Sequence, residues 1–150
     1  MQTIFDPLTR EELIKRINSL DEHHTAQWGK MIVYQAVQHC ILWDTMILTN
    51  KKYPRAFIGL VLGKVMLRNE VKDDRPMRRN NPTISALKIK ETRGDFSAAK
   101  RKWTSLIEDY AWYTHPDNSF IHPFFGPMTK EQIGYHAFKH SDHHLRQFKS

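Results

Sequence analysis

The chain is poor in cysteine: Cys40 is the only one in 150 residues. No intramolecular disulfide can form, and a reducing compartment is expected. Long apolar runs are also missing. The longest, "AFIGLVLG" from Ala56 to Gly63, falls far short of the roughly 20 residues a spanning helix needs, so no membrane partner is expected. The opening "MQTIFDPLTREEL" has acidic residues and a proline where a secretory signal has a basic start and an apolar stretch, which points to a cytoplasmic protein. Internal repeats, low-complexity tracts and alternating strand patterns of useful length are absent, which argues against solenoids and sheets. A single domain spanning 1–150 is expected, long enough to bury about two thirds of its unfolded surface in a self-sufficient core.

Acidic residues are scarce in one region. Residues 51–102 hold 15 Lys and Arg against 5 Asp and Glu, while the remainder holds 8 against 11, within a total net charge of +7. Such a segment attracts nucleic acid, an anionic small molecule or an acidic surface, and a merely solvated basic face is its commonest explanation. Its charges are spread over a helix and an irregular loop with no recognised DNA or RNA motif, which weighs against nucleic acid as the main partner.

What is present is helical periodicity. Thr9 opens "TREE", a Thr-x-x-Glu capping box, and Leu13, Ile14, Ile17 and Leu20 follow at helical spacing. A long second helix is predicted from about Ala26 to Thr49, on the recurrence of Trp28, Ile32, Ala36, Cys40, Trp43 and Ile47. Pro54 suits the first turn of a third, whose Gly59 and Gly63 lower its propensity by about 1 kcal/mol each and permit close packing. From Glu70 to Gly94 the pattern disappears into a charged, proline-punctuated connection. Asp95 can cap "FSAAKRKWTSLIEDYAWYT", the prolines of "HPDNSFIHPFFGPM" exclude a helix, and Thr129 opens "TKEQ", the capping box of a last helix. The reading is all-α, a helical bundle.

That last helix carries "KHSDHHLRQF". On a wheel with His140 at zero, Ile133, Ala137, His144 and Gln147 fall at about +20°, +60°, +40° and −20°, and His136 and His143 at about −40° and −60°. His140 and His144 thus share the inward stripe one turn apart, where two imidazoles can converge on one cation. The His-x-x-x-His pair is the geometry of zinc proteases, but Ser141 stands where their glutamate would be, so that reading fails. On the second helix, His39 lies within about 20° of Trp28 and Ile32, in the middle of an apolar face. A buried imidazole needs a partner, and a backbone carbonyl or a tyrosine can supply one to a core histidine; with two further inward histidines the sharper reading is a three-histidine metal site of the kind helical bundles build from facing helices.

Three neutral imidazoles leave a coordination position open, as catalytic sites do. Zinc or nickel, and also iron or manganese, accept such ligands, so spacing does not select the metal. Asp142 falls on the outer face, at about 200°, and no general base emerges. His136 and His143 can act as pocket or supporting residues, or simply flank the helix, and Gln147 can orient a ligand or pack as a polar residue. His115 and His122 each precede a proline and read as loop residues without defined partners. Cys40 reads as a small buried hydrophobe, and the four tryptophans as mostly core.

The segments "QWGKMIVYQAVQHC", "NNPTISALKI" and "HPFFGPMTKEQIGYHAFKHSDHHLRQF" together resemble the DinB/YfiT-like proteins, in a branch catalogued as a domain of unknown function. The resemblance runs from about Leu8 to Phe148. It implies a four-helix bundle with a long crossover and a short additional helix, often dimeric. It also implies a divalent metal held by one histidine of the second helix and a His-x-x-x-His pair of the last, here His39, His140 and His144. Relatives include transferases that use low-molecular-weight thiols such as bacillithiol or mycothiol, and proposed hydrolases. Two classes of function follow: a metal-dependent enzyme acting on a small-molecule substrate through an activated thiol or water, and a non-catalytic protein that binds metal or, through residues 51–102, nucleic acid.

Overall fold

In the computed structural model, which describes residues 1–150, the chain is mostly helical, as expected. It forms α1 (Pro7–Ser19), α2 (Val33–Leu48), α3 (Phe57–Glu70), α4 (Phe96–Asp109) and α5 (Lys130–Gln147). Two-residue strands β1 (Ile121–His122) and β2 (Gly126–Pro127) pair antiparallel, with Ile121 opposite Pro127 and His122 opposite Gly126. The sequence reading missed this hairpin. Its prolines do exclude a helix, and Gly126 at φ +85° supplies the left-handed residue that closes the turn.

α4 packs against α1 and α2, and α5 packs against the same two helices. The four close a ring around one core, in which Leu13 and Ile17 of α1, Trp43 and Ile47 of α2, Trp103 and Ile107 of α4, and Ile133 and Ala137 of α5 are all buried. Each large aliphatic side chain so buried stabilises the fold by about 1.5–3 kcal/mol. One carboxyl group sits inside that core. Asp44 is fully buried and accepts hydrogen bonds from Trp103 Nε1 and Tyr110 OH, both 2.9 Å. Burial raises its pKa to about 7 against the opposing effect of these two bonds.

Three helix starts differ from the sequence reading. Asp6, not Thr9, caps α1: its carboxylate accepts from Leu8 N and Pro7 follows at the first helical position, an arrangement that competes well with the capping box. Thr9 is buried one turn inside. α2 begins at Val33 rather than near Ala26 because the preceding chain is drawn toward α5. Gln27 N donates to Gln147 O at 2.8 Å, and Gly29 takes φ +79°. α3 begins at Phe57, leaving Pro54 outside, because Ala56 N is held in extended geometry by Pro123 O, 2.9 Å away. The caps at Asp95 and Thr129 are as read: Asp95 accepts from Ala98 N, and Thr129 and Gln132 form a reciprocal box.

α3 stands outside the ring and rests on the hairpin. A Cβ on Gly59 or Gly63 would overlap the Phe124 carbonyl oxygen, so these glycines permit the close backbone approach that their spacing suggested. Residues 71–95 then cross back with little regular structure beyond the single turn Ser85–Leu87. Lys139 of α5 fastens the start of this connection, donating to the carbonyls of Glu70, Asp73 and Arg75 at 2.6, 2.5 and 2.9 Å. No helix is long and apolar enough to cross a membrane.

Candidate metal centre

α5 is polar in sequence and yet buried on nearly every side, with His136, Lys139, His140, Ser141, Asp142, His144 and Gln147 all inside. A helix of that composition can be buried only where its polar groups find partners. Asp142, placed on the outer face by the wheel, is instead covered by α1: Arg16 Nη1 donates to its Oδ1 at 2.8 Å and Arg146 Nε to its Oδ2 at 2.7 Å. The wheel's outer side faces a neighbouring helix here, so Asp142 is a structural ion-pair member and not an exposed carboxylate.

On the opposite side of α5, His140 and His144 face His39 of α2. One ring nitrogen from each lies within 4.8 Å of the other two, and His39 Nε2 is 3.1 Å from His140 Nε2. Two nitrogens bound to one tetrahedral zinc at about 2.0–2.1 Å would be roughly 3.3 Å apart, so small side-chain movements bring all three to an ion. The outer nitrogens are braced. His39 Nδ1 lies 2.9 Å from Leu87 O, and His144 Nδ1 lies 3.0 Å from Gln147 Oε1. Both acceptors require Nδ1–H, which leaves each Nε2 with its lone pair toward the centre, the tautomer that metal-binding histidines are held in. Gln147 is itself fixed by donating from Nε2 to Trp28 O at 2.8 Å. His140 Nδ1 is buried without a partner, and the His140 ring is stacked on Trp43 with centroids 4.3 Å apart.

Burial holds all three imidazoles below their ordinary pKa, His140 and His144 well below, with the neighbouring histidines adding to the effect; the Leu87 bond opposes it at His39. Neutral imidazole is the ligating form. The histidine set fits a divalent ion: two inward lone pairs fixed by their outer bonds, a third imidazole whose Nε2 reaches the same point, and no fourth protein ligand in the cluster.

The centre opens on a cleft of about 1350 Å³. Glu70, His122 and His136 also line it; the sequence reading offered His136 as a pocket or supporting residue, read His122 as a loop residue without a defined partner and gave Glu70 no role. His136 is 2 % exposed and is paired through Nδ1 with the Glu70 carboxylate. Burial pushes that carboxyl up, but His136 and Lys139 outweigh it and hold its pKa below the usual range. His122 is anchored too. Its Nδ1 accepts from Phe124 N and Phe125 N, both 3.1 Å, and its ring stacks on Phe125. Burial, with His136 and Arg55 nearby, lowers its pKa well below the ordinary value. His143 is half-buried, against Trp28 at 5.4 Å between ring centroids.

His115 lies away from the cleft and bonds Leu48 O through Nε2 at 2.9 Å. Cys40 is fully buried with its thiol pKa raised by burial and by Asp44, so it offers no nucleophile. The tryptophans divide: Trp103 is core, Trp43 is both core and cleft wall, Trp28 carries Arg79 over its ring at 4.3 Å, and Trp112 is 81 % exposed. Glu70 arrives from the end of α3 through a contact that no local periodicity signals, and its arrival is what turns His136 from a helix-flank residue into part of a buried pair.

Comparison with curated proteins and with solved structures finds no match. One family model matches residues 5–150, nearly the whole chain, and so covers every residue of the centre and of the cleft. The chain belongs to that family, described as a protein of unknown function (DUF1569).

Proposed function

We propose that the chain is a divalent-metal-dependent enzyme in which His39, His140 and His144 hold the ion and the adjoining cleft receives a small-molecule substrate. One observation carries this reading: the three imidazoles converge at the cleft with two of their outer nitrogens braced by Leu87 O and Gln147 Oε1. Zinc or nickel suits the all-nitrogen set, with iron and manganese as further choices. When bound, such an ion supplies Lewis-acid chemistry and lowers the pKa of a water or thiol at its open position.

The protein's own groups would do the rest. His136 offers Nε2, which has no hydrogen-bond partner, to the cleft one helical turn before His140, while Glu70 holds its Nδ1–H. This pair can take up the proton released when a nucleophile is presented, the part a carboxylate-oriented histidine plays as a general base. Lys30 and Arg78, both exposed at the cleft, favour an anionic reactant. Met31, Met66, Met77 and Phe125 provide an apolar wall for an uncharged one.

The reaction class that joins these features is S-transfer with a low-molecular-weight thiol. On this reading the ring of α1, α4, α2 and α5 is a DinB-like four-helix bundle, and residues 71–95 are its long crossover. Hydrolysis is the second reading, supported by the Glu70–His136 pair, which serves an attacking water equally well. Incubating metal-loaded protein with a panel of thiols and electrophiles, and following thiol loss, separates the readings. Turnover that needs both metal and His136 supports the transferase. Product formation without a thiol supports the hydrolase, and full metal occupancy with no turnover across a broad panel supports a non-catalytic binder.

A further inference from the structure

α3 is the element that the chain leaves uncovered. Gly59, Gly63 and Leu67 are its buried residues, while seven large apolar side chains between Phe57 and Met66 each expose between 44 and 82 % of their surface. They present on the order of 700 Å² of largely apolar surface, above the about 300–600 Å² of the largest patch on a typical monomer. A helix apolar on nearly every outward side is at home in water only when something covers it. Because α3 stands outside the ring, the patch is a ridge and not a groove.

The ridge is also cationic, at its ends and along one side. Lys51, Lys52, Lys64, Arg68 and Lys72 are exposed, and no acidic residue stands between Asp44 and Glu70. The acidic groups nearest in sequence are engaged elsewhere: Asp44 inside the core, Glu70 with His136, Asp73 with Arg75, and Asp74 3.9 Å from the N-terminal ammonium. With Val61 at zero and about 100° per residue, Arg68 falls at about −20° and Lys64 at about −60°, within an apolar arc from Leu60 at about −100° to Met66 at about +140°. A second copy laid on this face would bring those cations against like charges, whereas an anionic surface meets them with counter-charge. Long basic stems beside apolar side chains suit a headgroup boundary, where the stem sinks and the charge stays in water.

We propose that α3 is a docking ridge for an anionic phospholipid surface, with Phe57, Val61 and Val65 seated in the headgroup boundary and the five cations against its phosphates. The helix lies in the plane of that surface and does not cross it. Its 14 residues are too few to span a bilayer, and a helix so placed buries its apolar side only about 5–10 Å deep. The lack of a long apolar run excludes a spanning helix and leaves peripheral docking open. Gly59 and Gly63 keep the opposite side of α3 on the hairpin. Docking bears on the cleft, because Ile58 and Met66 belong both to the exposed face and to the cleft wall, so the cleft mouth comes to lie at the lipid boundary. It requires no bound metal.

Flotation of the full chain with vesicles tests it. The wild type should float with vesicles of equal phosphatidylglycerol and phosphatidylcholine, with or without chelator, and bind pure phosphatidylcholine at least tenfold more weakly. Each cation near an anionic surface contributes about fivefold in affinity, so Lys51→Glu combined with Lys52→Glu should weaken binding by at least about 25-fold. Val61→Glu should lose at least tenfold while keeping its helical content by circular dichroism, since Val61 is 71 % exposed. Trp112→Glu, 81 % exposed but outside α3, should bind as the wild type does. A wild type that stays unbound at millimolar lipid would overturn the proposal, as would equal binding to both vesicle types, full binding by Val61→Glu or by the double lysine variant, or an equal loss in Trp112→Glu. A wild type that stays off vesicles and sediments as a dimer which Val61→Glu splits would also overturn it and assign the face to a second copy.

Discussion

Gln147 links the histidine centre to the loop that precedes α2. It is 4 % exposed, accepts from His144 Nδ1–H at 3.0 Å and donates to Trp28 O at 2.8 Å. Gln147→Ala removes both bonds and leaves two groups to find other partners. An unsatisfied buried group costs about 1–3 kcal/mol, and the neighbouring cleft can admit water to one of them, so the apo protein should lose about 2 kcal/mol. For a chain of this length that is a fall in Tm of roughly 4–8 °C. The effect on metal is separate: freeing the His144 ring should weaken affinity about 10–100-fold, the usual cost of losing such a brace. Gln147→Glu keeps an acceptor for His144 but sets a carboxylate oxygen against Trp28 O, so it should lose stability while holding metal affinity closer to native than Gln147→Ala does. Competition against a chromophoric chelator measures affinity, and urea denaturation with excess chelator measures apo stability. Native metal affinity in Gln147→Ala, or an equal loss in both variants, would show that Gln147 does not act by orienting His144.

Chelation at pH 7.5 should lower Tm, since an ion at 100 times its Kd stabilises the folded state by about 2.7 kcal/mol, or roughly 5–11 °C here; the apo chain should stay folded on its ring of apolar helices. Lowering the pH should weaken both forms. Burial holds His39, His140 and His144 below about 6.5 in the folded chain, so under pH 6.5 the unfolded chain binds protons that the folded chain does not, and stability falls as pH drops toward 5. The metal-dependent increment should shrink over the same range, because ligands must shed protons to bind, and identical melting curves with and without chelator at pH 7.5 would contradict the account. Gly63→Ala should destabilise by about 1–3 kcal/mol in thermal or urea unfolding, despite better helix propensity, because the new methyl meets backbone at Phe124 and Phe125. Random duplex DNA should bind weakly in a filter or anisotropy assay and be released at physiological salt, as the basic residues of 51–102 line no single groove; submicromolar binding that survives such salt would favour a nucleic-acid role.

The elements legible in the sequence were those encoded locally. The periodicity of α4 and α5, with Asp95 and Thr129 as their caps, needs nothing beyond a turn or two of helix to be read. His140 and His144 follow from one helical period, and His39 from its place in an apolar stripe. The boundaries of α2 and α3 were hidden because remote groups set them: Gln147 O holds Gln27, and Pro123 O holds Ala56. Asp142 was misplaced for a related reason, since a wheel assumes that one side of a helix faces water and α5 has neighbours on both. Glu70 carries no signal at all in a charged connection. Its pairing with His136 depends on how α3 leans on the hairpin and on Lys139 gathering three carbonyls of the crossover, which only the folded chain brings about.

Elemental analysis of untagged protein decides whether His39, His140 and His144 form one metal centre. Close to one divalent ion per chain is expected in the wild type, with most of it lost in each of His39→Ala, His140→Ala and His144→Ala and full occupancy in His115→Ala, whose ring bonds Leu48 O elsewhere. A wild type that holds no metal after incubation with zinc or nickel, or His39→Ala that keeps its full complement, would contradict such a centre.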